Sequence, residues 1–224
     1  MSTRIALVHA VAPAMRPIAD AFTEIWPAAE CVNILDDSLA PDRARSADLA
    51  DDIYRRFDVL GDYAAMIGAN GLLFTCSAFG KAIERVAGRA AFPVLKPNEA
   101  MYEAAMSHGG RIGMLVTFEP SVASMTAEFE ELVRARGASA ELRTVCVPDA
   151  MAALNRGEPA THHALLADAA VRLTGVDVIM LAQFSMAGAE PAVRSRVGVP
   201  VLTSPAAAVR KLKARLDGGP ASGA

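Results

Sequence analysis

The sequence predicts an α/β protein made of two similar Rossmann-like lobes with parallel sheets, related by a pseudo-two-fold axis. Three observations carry this expectation. Short apolar or β-branched runs alternate with longer helical patterns, as βα units around a parallel sheet do. The chain also nearly repeats itself at one offset of 107 residues, with no gap needed, so that Arg4-Ile5 falls on Arg111-Ile112 and Pro93-Val94-Leu95 on Pro200-Val201-Leu202. Pro13 falls on Pro120, Phe22 on Phe129 and Gly68 on Gly175, all at equivalent strand ends, helices and turns.

Strands are expected at 4–9, 31–35, 71–75 and 93–95, and again at 111–116, 141–147, 177–181 and 199–202. Helices fill the intervals. The clearest spans 121–136, where Val122, Met125, Phe129, Leu132 and Val133 recur at helical spacing while Glu128, Glu130, Arg134 and Arg136 lie elsewhere on the wheel. The duplication divides the chain into a first lobe of residues 4–96 plus 205–217 and a second of residues 98–203. The Gly/Pro/Ser/Ala-rich segment 218–224 reads as a flexible tail.

Composition narrows the function. A hydrophobic fraction of 53% across 224 residues supports a sizeable core. No window approaches the roughly 18 consecutive apolar residues of a membrane span, and Met1 to Val8 lacks the layout of a signal peptide, so cytoplasm is the expected compartment and no membrane partner is expected. A net charge of −3, with cations mixed among carboxylates, argues against a nucleic-acid partner. Cys31, Cys76 and Cys146 are an odd, widely spaced set without a CxxC pair, and the adjacent His162-His163 cannot share a helical face, so neither a disulfide framework nor a metal is expected. No GxGxxG or GxxxxGK[ST] follows any strand, and Gly109-Gly110 precedes one, which argues against a nucleotide-binding domain.

Ligands of open parallel sheets bind at the carboxyl ends of the strands, so the loops of interest form matched pairs. These are His9-Ala10 with Val116-Thr117, Cys76-Ser77 with Gln183-Phe184, and the loop 96–98 with 203–205. In Gly71-Leu72-Leu73-Phe74-Thr75-Cys76-Ser77-Ala78-Phe79-Gly80 an apolar strand ends at a thiol that opens a helix. Backbone N–H groups and the helix dipole there are expected to lower the thiol pKa from about 8.5. Those N–H groups, with the Ser77 hydroxyl, suit a carboxylate. Cys31 and Cys146 lie in ordinary strand patterns and read as small buried residues.

The segments LLFTCSAFG, FPVLKPNEA, RIGMLVTFEPS, VDVIMLAQFSMAG and GVPVLTSPAAAVR together resemble the aspartate/glutamate/hydantoin racemase superfamily, from Arg4 to about Leu216. The resemblance implies two lobes, each presenting a cysteine to one face of a substrate α-carbon, with proton removal and return and no cofactor. Cys76 matches the first-lobe cysteine. The second-lobe position is Gln183, which has no useful pKa for proton transfer. Where the family commonly has Asn-Thr after the first cysteine, this chain has Ser77-Ala78, which disfavours glutamate as substrate. A single cysteine also suits a decarboxylase or lyase, as in arylmalonate decarboxylase, or a cis-trans isomerase, as in maleate isomerase.

His9 is a candidate for a second acid/base, with Lys96 and Glu99 as lesser ones. Asn98-Glu99 reads equally as a helix cap with a first-turn carboxylate. Thr117 matches a family position that holds the substrate carboxylate through its hydroxyl and N–H. Phe184 and Met186 flank Ser185 and make the second loop apolar, which fits a substrate with an apolar group if they face it, and core packing if they do not. The expected partner is therefore a small carboxylate substrate bound through Ser77, Ala78, Thr117, Phe184, Ser185 and Asn98, with Cys76, Gln183 and His9 at the chemistry. A homodimer or a higher homo-oligomer is the expected assembly, with an isologous dimer as the default. The competing reading is a non-catalytic small-acid-binding protein.

Overall fold

The computed structural model describes residues 2–45 and 48–218. The chain divides into two compact units, one running from its start to Pro97 together with the segment from Ala208, the other Asn98–Ala207. The first contains strands β1 (Arg4–His9), β2 (Glu30–Leu35), β3 (Gly71–Phe74) and β4 (Val94–Leu95). The second contains β5 (Arg111–Val116), β6 (Glu141–Cys146), β7 (Val178–Leu181) and β8 (Val201–Thr203). The sheet orders are β2-β1-β3-β4 and β6-β5-β7-β8, and every pairing is parallel.

Parallel neighbours need a crossover, and helices supply it. In the first unit these include α1 (Met15–Ile25), α2 (Leu39–Ala44), α3 (Asp51–Met66) and α4 (Gly80–Ala87); in the second they include α5 (Glu99–Met106), α6 (Val122–Ala135), α7 (Pro148–Asn155), α8 (Pro159–Ala170) and α9 (Glu190–Arg194). The last helix, α10 (Ser204–Asp217), begins in the second unit and ends in the first. Covered on both faces, the central strands read as unbroken apolar runs, while the edge strand β2 alternates toward solvent. In the second unit Ile112, Met114 and Val116 pack into one core with Val178 and Met180, whereas Leu115, Ile179 and Leu181 face the other, the two-residue alternation of a strand.

The duplication is written into the backbone. Strands β1 and β5, β3 and β7, and the three-residue 3₁₀ turns Ala12–Ala14 and Glu119–Ser121 all obey the 107-residue offset. Gly68 and Gly175 both turn the chain ahead of the third strand with φ of 71° and 70°, a left-handed conformation natural to glycine. Two residues later, Asn70 and Asp177 each accept a hydrogen bond from the first residue of the central strand, Arg4 N at 2.8 Å and Arg111 N at 2.9 Å.

The expectation of a gap-free repeat is corrected at the second strand. β2 pairs Arg4 with Glu30 and β6 pairs Arg111 with Glu141, an offset four residues longer. The helix after the first strand of each sheet is 14 residues in the second unit (α6) against 11 in the first (α1), and the following crossover is shorter, which restores the offset at β7. The sequence match survives because the two length changes cancel. Of the tail expected at 218–224, all but Gly218 lies outside the described residues.

Candidate active site

Cys76 follows β3 with extended backbone (φ −121°, ψ 124°) and is held from both sides by buried aromatics. Phe74, two residues before it, and Phe79, three after it, each lie 5.0 Å from the ring of Phe57 on α3. Such pairs contribute about 0.5–1.5 kcal/mol each beyond simple burial, and here they fix both ends of the Cys76 turn to the core. The Ala78 backbone N–H bonds to the Cys76 sulfur, and the Ala78 carbonyl accepts from Arg43 Nε at 3.2 Å. Ser77 and Ala78 are both partly exposed.

The expected lowering of the thiol pKa is corrected. Burial pushes the Cys76 thiol up, outweighing the Ala78 N–H and the Arg43 charge, which both pull it down. The turn after Cys76 is a 3₁₀ segment, Ser77–Phe79, and α4 starts only at Gly80. The sulfur therefore stands beyond the first turn of the helix, where the dipole fades. Cys31 is pushed up to about 11 and Cys146 is also raised, both first by burial. All three cysteines are free.

His9, at the end of β1, is fully buried and committed on both ring nitrogens, with Nδ1 2.9 Å from Thr75 Oγ1 and Nε2 3.0 Å from Asn33 Oδ1. Burial lowers its pKa, against a smaller opposing effect of the Asn33 bond, so the neutral ring is favoured. A proton on Nε2 satisfies both partners, donating to Asn33 while Nδ1 accepts from the Thr75 hydroxyl. Sequence reasoning missed Thr75 and Asn33. The signal was a polar residue just after one apolar strand pattern, Thr75, and one in the middle of another, Asn33. Lys96 Nζ pairs with Glu84 Oε1 at 2.8 Å on α4.

The second unit presents different chemistry at the equivalent place. Gln183 follows β7 with the same extended backbone (φ −122°, ψ 144°). Its Oε1 accepts from both Thr117 N–H at 2.7 Å and Thr117 Oγ1 at 2.6 Å. A backbone N–H can only donate, so the amide oxygen must face Thr117 and the Gln183 Nε2 must point away from it. The two Thr117 groups expected to hold a carboxylate thus hold a neutral side-chain oxygen. Phe184 and Met186 are buried, Met186 within the core beside Leu181, and Ser185 is partly exposed.

Asn98 stands at the N-cap position of α5 but makes no side-chain cap bond; its buried Oδ1 accepts from Ser204 Oγ at 2.7 Å instead. Its Nδ2 is left without a hydrogen bond of good geometry among the described residues. Glu99 stands in the first turn of the same helix. Among the described residues no group of three His, Cys, Asp or Glu side chains is placed to hold a metal ion.

A family model described as Asp/Glu/Hydantoin racemase matches residues 8–212. The chain belongs to this family. Its fold is that of solved racemases. A glutamate racemase of Bacillus anthracis aligns with a TM-score of 0.77 at 15% identity, covering 97% of this chain and 83% of that one. An allantoin racemase of Klebsiella pneumoniae aligns at 0.75 and 18% identity over 99% and 91%, and an aspartate racemase of Picrophilus torridus at 0.70 and 14% over 94% of each. No curated protein matches significantly. Within the Asp/Glu/hydantoin racemase family frame, Cys76 and Gln183 occupy corresponding positions after β3 and β7. No described helix is long and apolar enough to cross a membrane.

Proposed function

We propose that this chain is a cofactor-independent enzyme of the racemase family that transfers a proton at the carbon next to a carboxylate of a small acid, with Cys76 as its acid/base. The observation that carries the reading is the asymmetry between the two strand ends. One bears a thiol whose sulfur receives a backbone N–H. The other bears Gln183, an amide with its oxygen fixed by Thr117. Ser77 and Ala78 offer donors beside the thiol in the first unit. In the second unit, a carboxylate replacing Gln183 Oε1 on Thr117 would place negative charge on preorganised N–H and O–H donors. Gln183 neither takes nor gives a proton, so exchange proceeds at Cys76. His9, with both nitrogens engaged, supports the Cys76 strand end through Thr75 and reaches a substrate only if that network opens.

A thiol pKa above the ordinary value favours a second reading within the family, decarboxylation or related lyase chemistry. There the Cα–carboxyl bond breaks, carbon dioxide leaves, and its electron pair forms an enediolate. The Cys76 S–H proton then goes to carbon, and solvent reprotonates the thiolate. A protonated thiol at neutral pH is the starting state for that step and not for proton abstraction.

Proton NMR in deuterated buffer over 2-substituted carboxylates, arylmalonates, hydantoins, aspartate and glutamate tests both. Cys76-dependent entry of α-deuterium supports proton transfer, and Cys76-dependent loss of carbon dioxide supports the lyase reading. Ligand-induced stabilisation without any chemistry would favour a binding protein instead.

A further inference from the structure

Arg43 was not singled out by the sequence. It lies on α2, the six-residue helix after β2, and its Nε donates to the Ala78 carbonyl, 35 residues away in sequence, at 3.2 Å. Helix α2 is itself tied down. Arg56 on α3 bonds Asp36 through Nη2 at 2.5 Å and Asp42 through Nη1 at 2.7 Å, both partly buried, and reaches the Ser38 hydroxyl at 2.6 Å. Asp36 and Asp42 bracket the start of α2 and the position before Arg43. The clamp therefore fixes the helix that delivers the Arg43 guanidinium.

We propose that Arg43 is a positioning residue for Cys76, acting through the Ala78 carbonyl to hold the turn that follows the thiol. The Ala78 peptide links the two ends of this arrangement, since its carbonyl receives Arg43 and its N–H meets the Cys76 sulfur. Tilting that residue away weakens both contacts together. The Arg43 charge also acts on the thiolate directly. Of the charged groups on elements around the turn, Lys96 is paired with Glu84, Lys81 and Glu84 lie on α4, and the Arg43 charge pulls the thiol pKa down. His9 reaches the neighbouring Thr75 as a neutral ring.

The inference rests on Cys76 being the proton-carrying thiol, but its test does not. The rate of Cys76 alkylation by iodoacetamide, followed by mass spectrometry from pH 7 to 10, reports the thiolate fraction without any substrate. Loss of one nearby opposite charge moves a pKa by roughly one unit, so Arg43→Met is expected to alkylate roughly tenfold more slowly at pH 8. Arg43→Lys, which keeps the charge and loses the planar Nε donor, is expected to fall between the two. The thiolate absorbance at 240 nm, as the difference from Cys76→Ala, gives the same pKa independently of reagent access.

An unmoved thiol pKa by both methods in a folded Arg43→Met protein overturns the proposal. Should that variant not fold, an unmoved pKa in Arg43→Gln does the same. If Cys76→Ala retains deuterium exchange on a substrate while Arg43→Met still shifts the thiol, the functional reading fails and the positioning role stands.

Discussion

The strand ends of the two units share a backbone and differ in where they spend their polar groups. In the first, the pair His9 and Thr75 is buried just behind the edge, and the edge itself carries Ala10 and Cys76. In the second, the positions equivalent to His9 and Thr75 are Val116 and Ala182, both apolar and buried, and the edge carries Thr117 bonded to Gln183. Both polar pairs join residues 66 apart, but they are displaced by one residue along the strands. Because side chains alternate between faces, that one-residue step moves the polar pair to the other face; there Thr117 is buried as well, and only Gln183 is partly exposed. A duplicated scaffold has thereby kept one ionisable edge and one neutral edge.

The largest effect expected separates the edges by chemistry. Cys76→Ala should lower deuterium exchange by roughly 10²–10⁴-fold, the contribution of a positioned acid/base. Gln183→Ala should leave exchange detectable and, by freeing the Thr117 donors that a substrate carboxylate takes over, should not weaken substrate affinity, measured as KM against kcat. Equal losses from both variants would erase the distinction.

Anchoring of the turns differs as well. Phe79 and Met186 occupy equivalent positions and are both fully buried. Phe79→Ala should cost about 3–5 kcal/mol in denaturant unfolding, toward the upper end because two stacked rings are disturbed, and Met186→Ala about 2–5 kcal/mol. A reversed order would show that the aromatic stack is not what holds the Cys76 turn.

His9 gives the first unit a pH sensitivity without a counterpart at Val116. Its folded pKa lies below the ordinary 6.5, so the unfolded chain binds the proton first as pH falls. The stability contributed by the neutral ring is full above 6.5 and is lost as pH drops through the folded value. His9→Leu should cost about 1–3 kcal/mol at pH 7.5 by leaving Asn33 Oδ1 without its partner and Thr75 Oγ1 with only the Val8 carbonyl, 3.3 Å away. It should also flatten the stability profile below pH 6.5, as thermal melts from pH 5 to 7.5 would read. The smallest effect concerns what the units share: Gly68→Ala and Gly175→Ala should each cost about 1 kcal/mol, since neither Cβ meets any atom within 4 Å and only the positive φ penalises it.

The parts of this comparison that could be read from sequence are those set by local pattern. Strands β1, β3, β5 and β7 announce themselves as apolar runs because both sheet faces are covered, and Gly68 and Gly175 announce their turns. The edges were legible as places, Cys76 and Gln183 included. Their connections were not. The bond between Thr117 and Gln183, the burial of His9 between Asn33 and Thr75, and the reach of Arg43 to Ala78 depend on crossovers whose lengths no pattern states. The direction of the Cys76 pKa was missed for the same reason, since the local helix start was visible in the sequence and the enclosing core was not.

The most direct test follows the α-carbon of one enantiomer of an accepted substrate in deuterated buffer, by proton NMR with chiral analysis. With Cys76 as the one proton carrier and Gln183 neutral, deuterium should enter with configuration retained, and the label should vanish in Cys76→Ala. Racemisation at the rate of exchange, or exchange that persists without Cys76, would contradict the account.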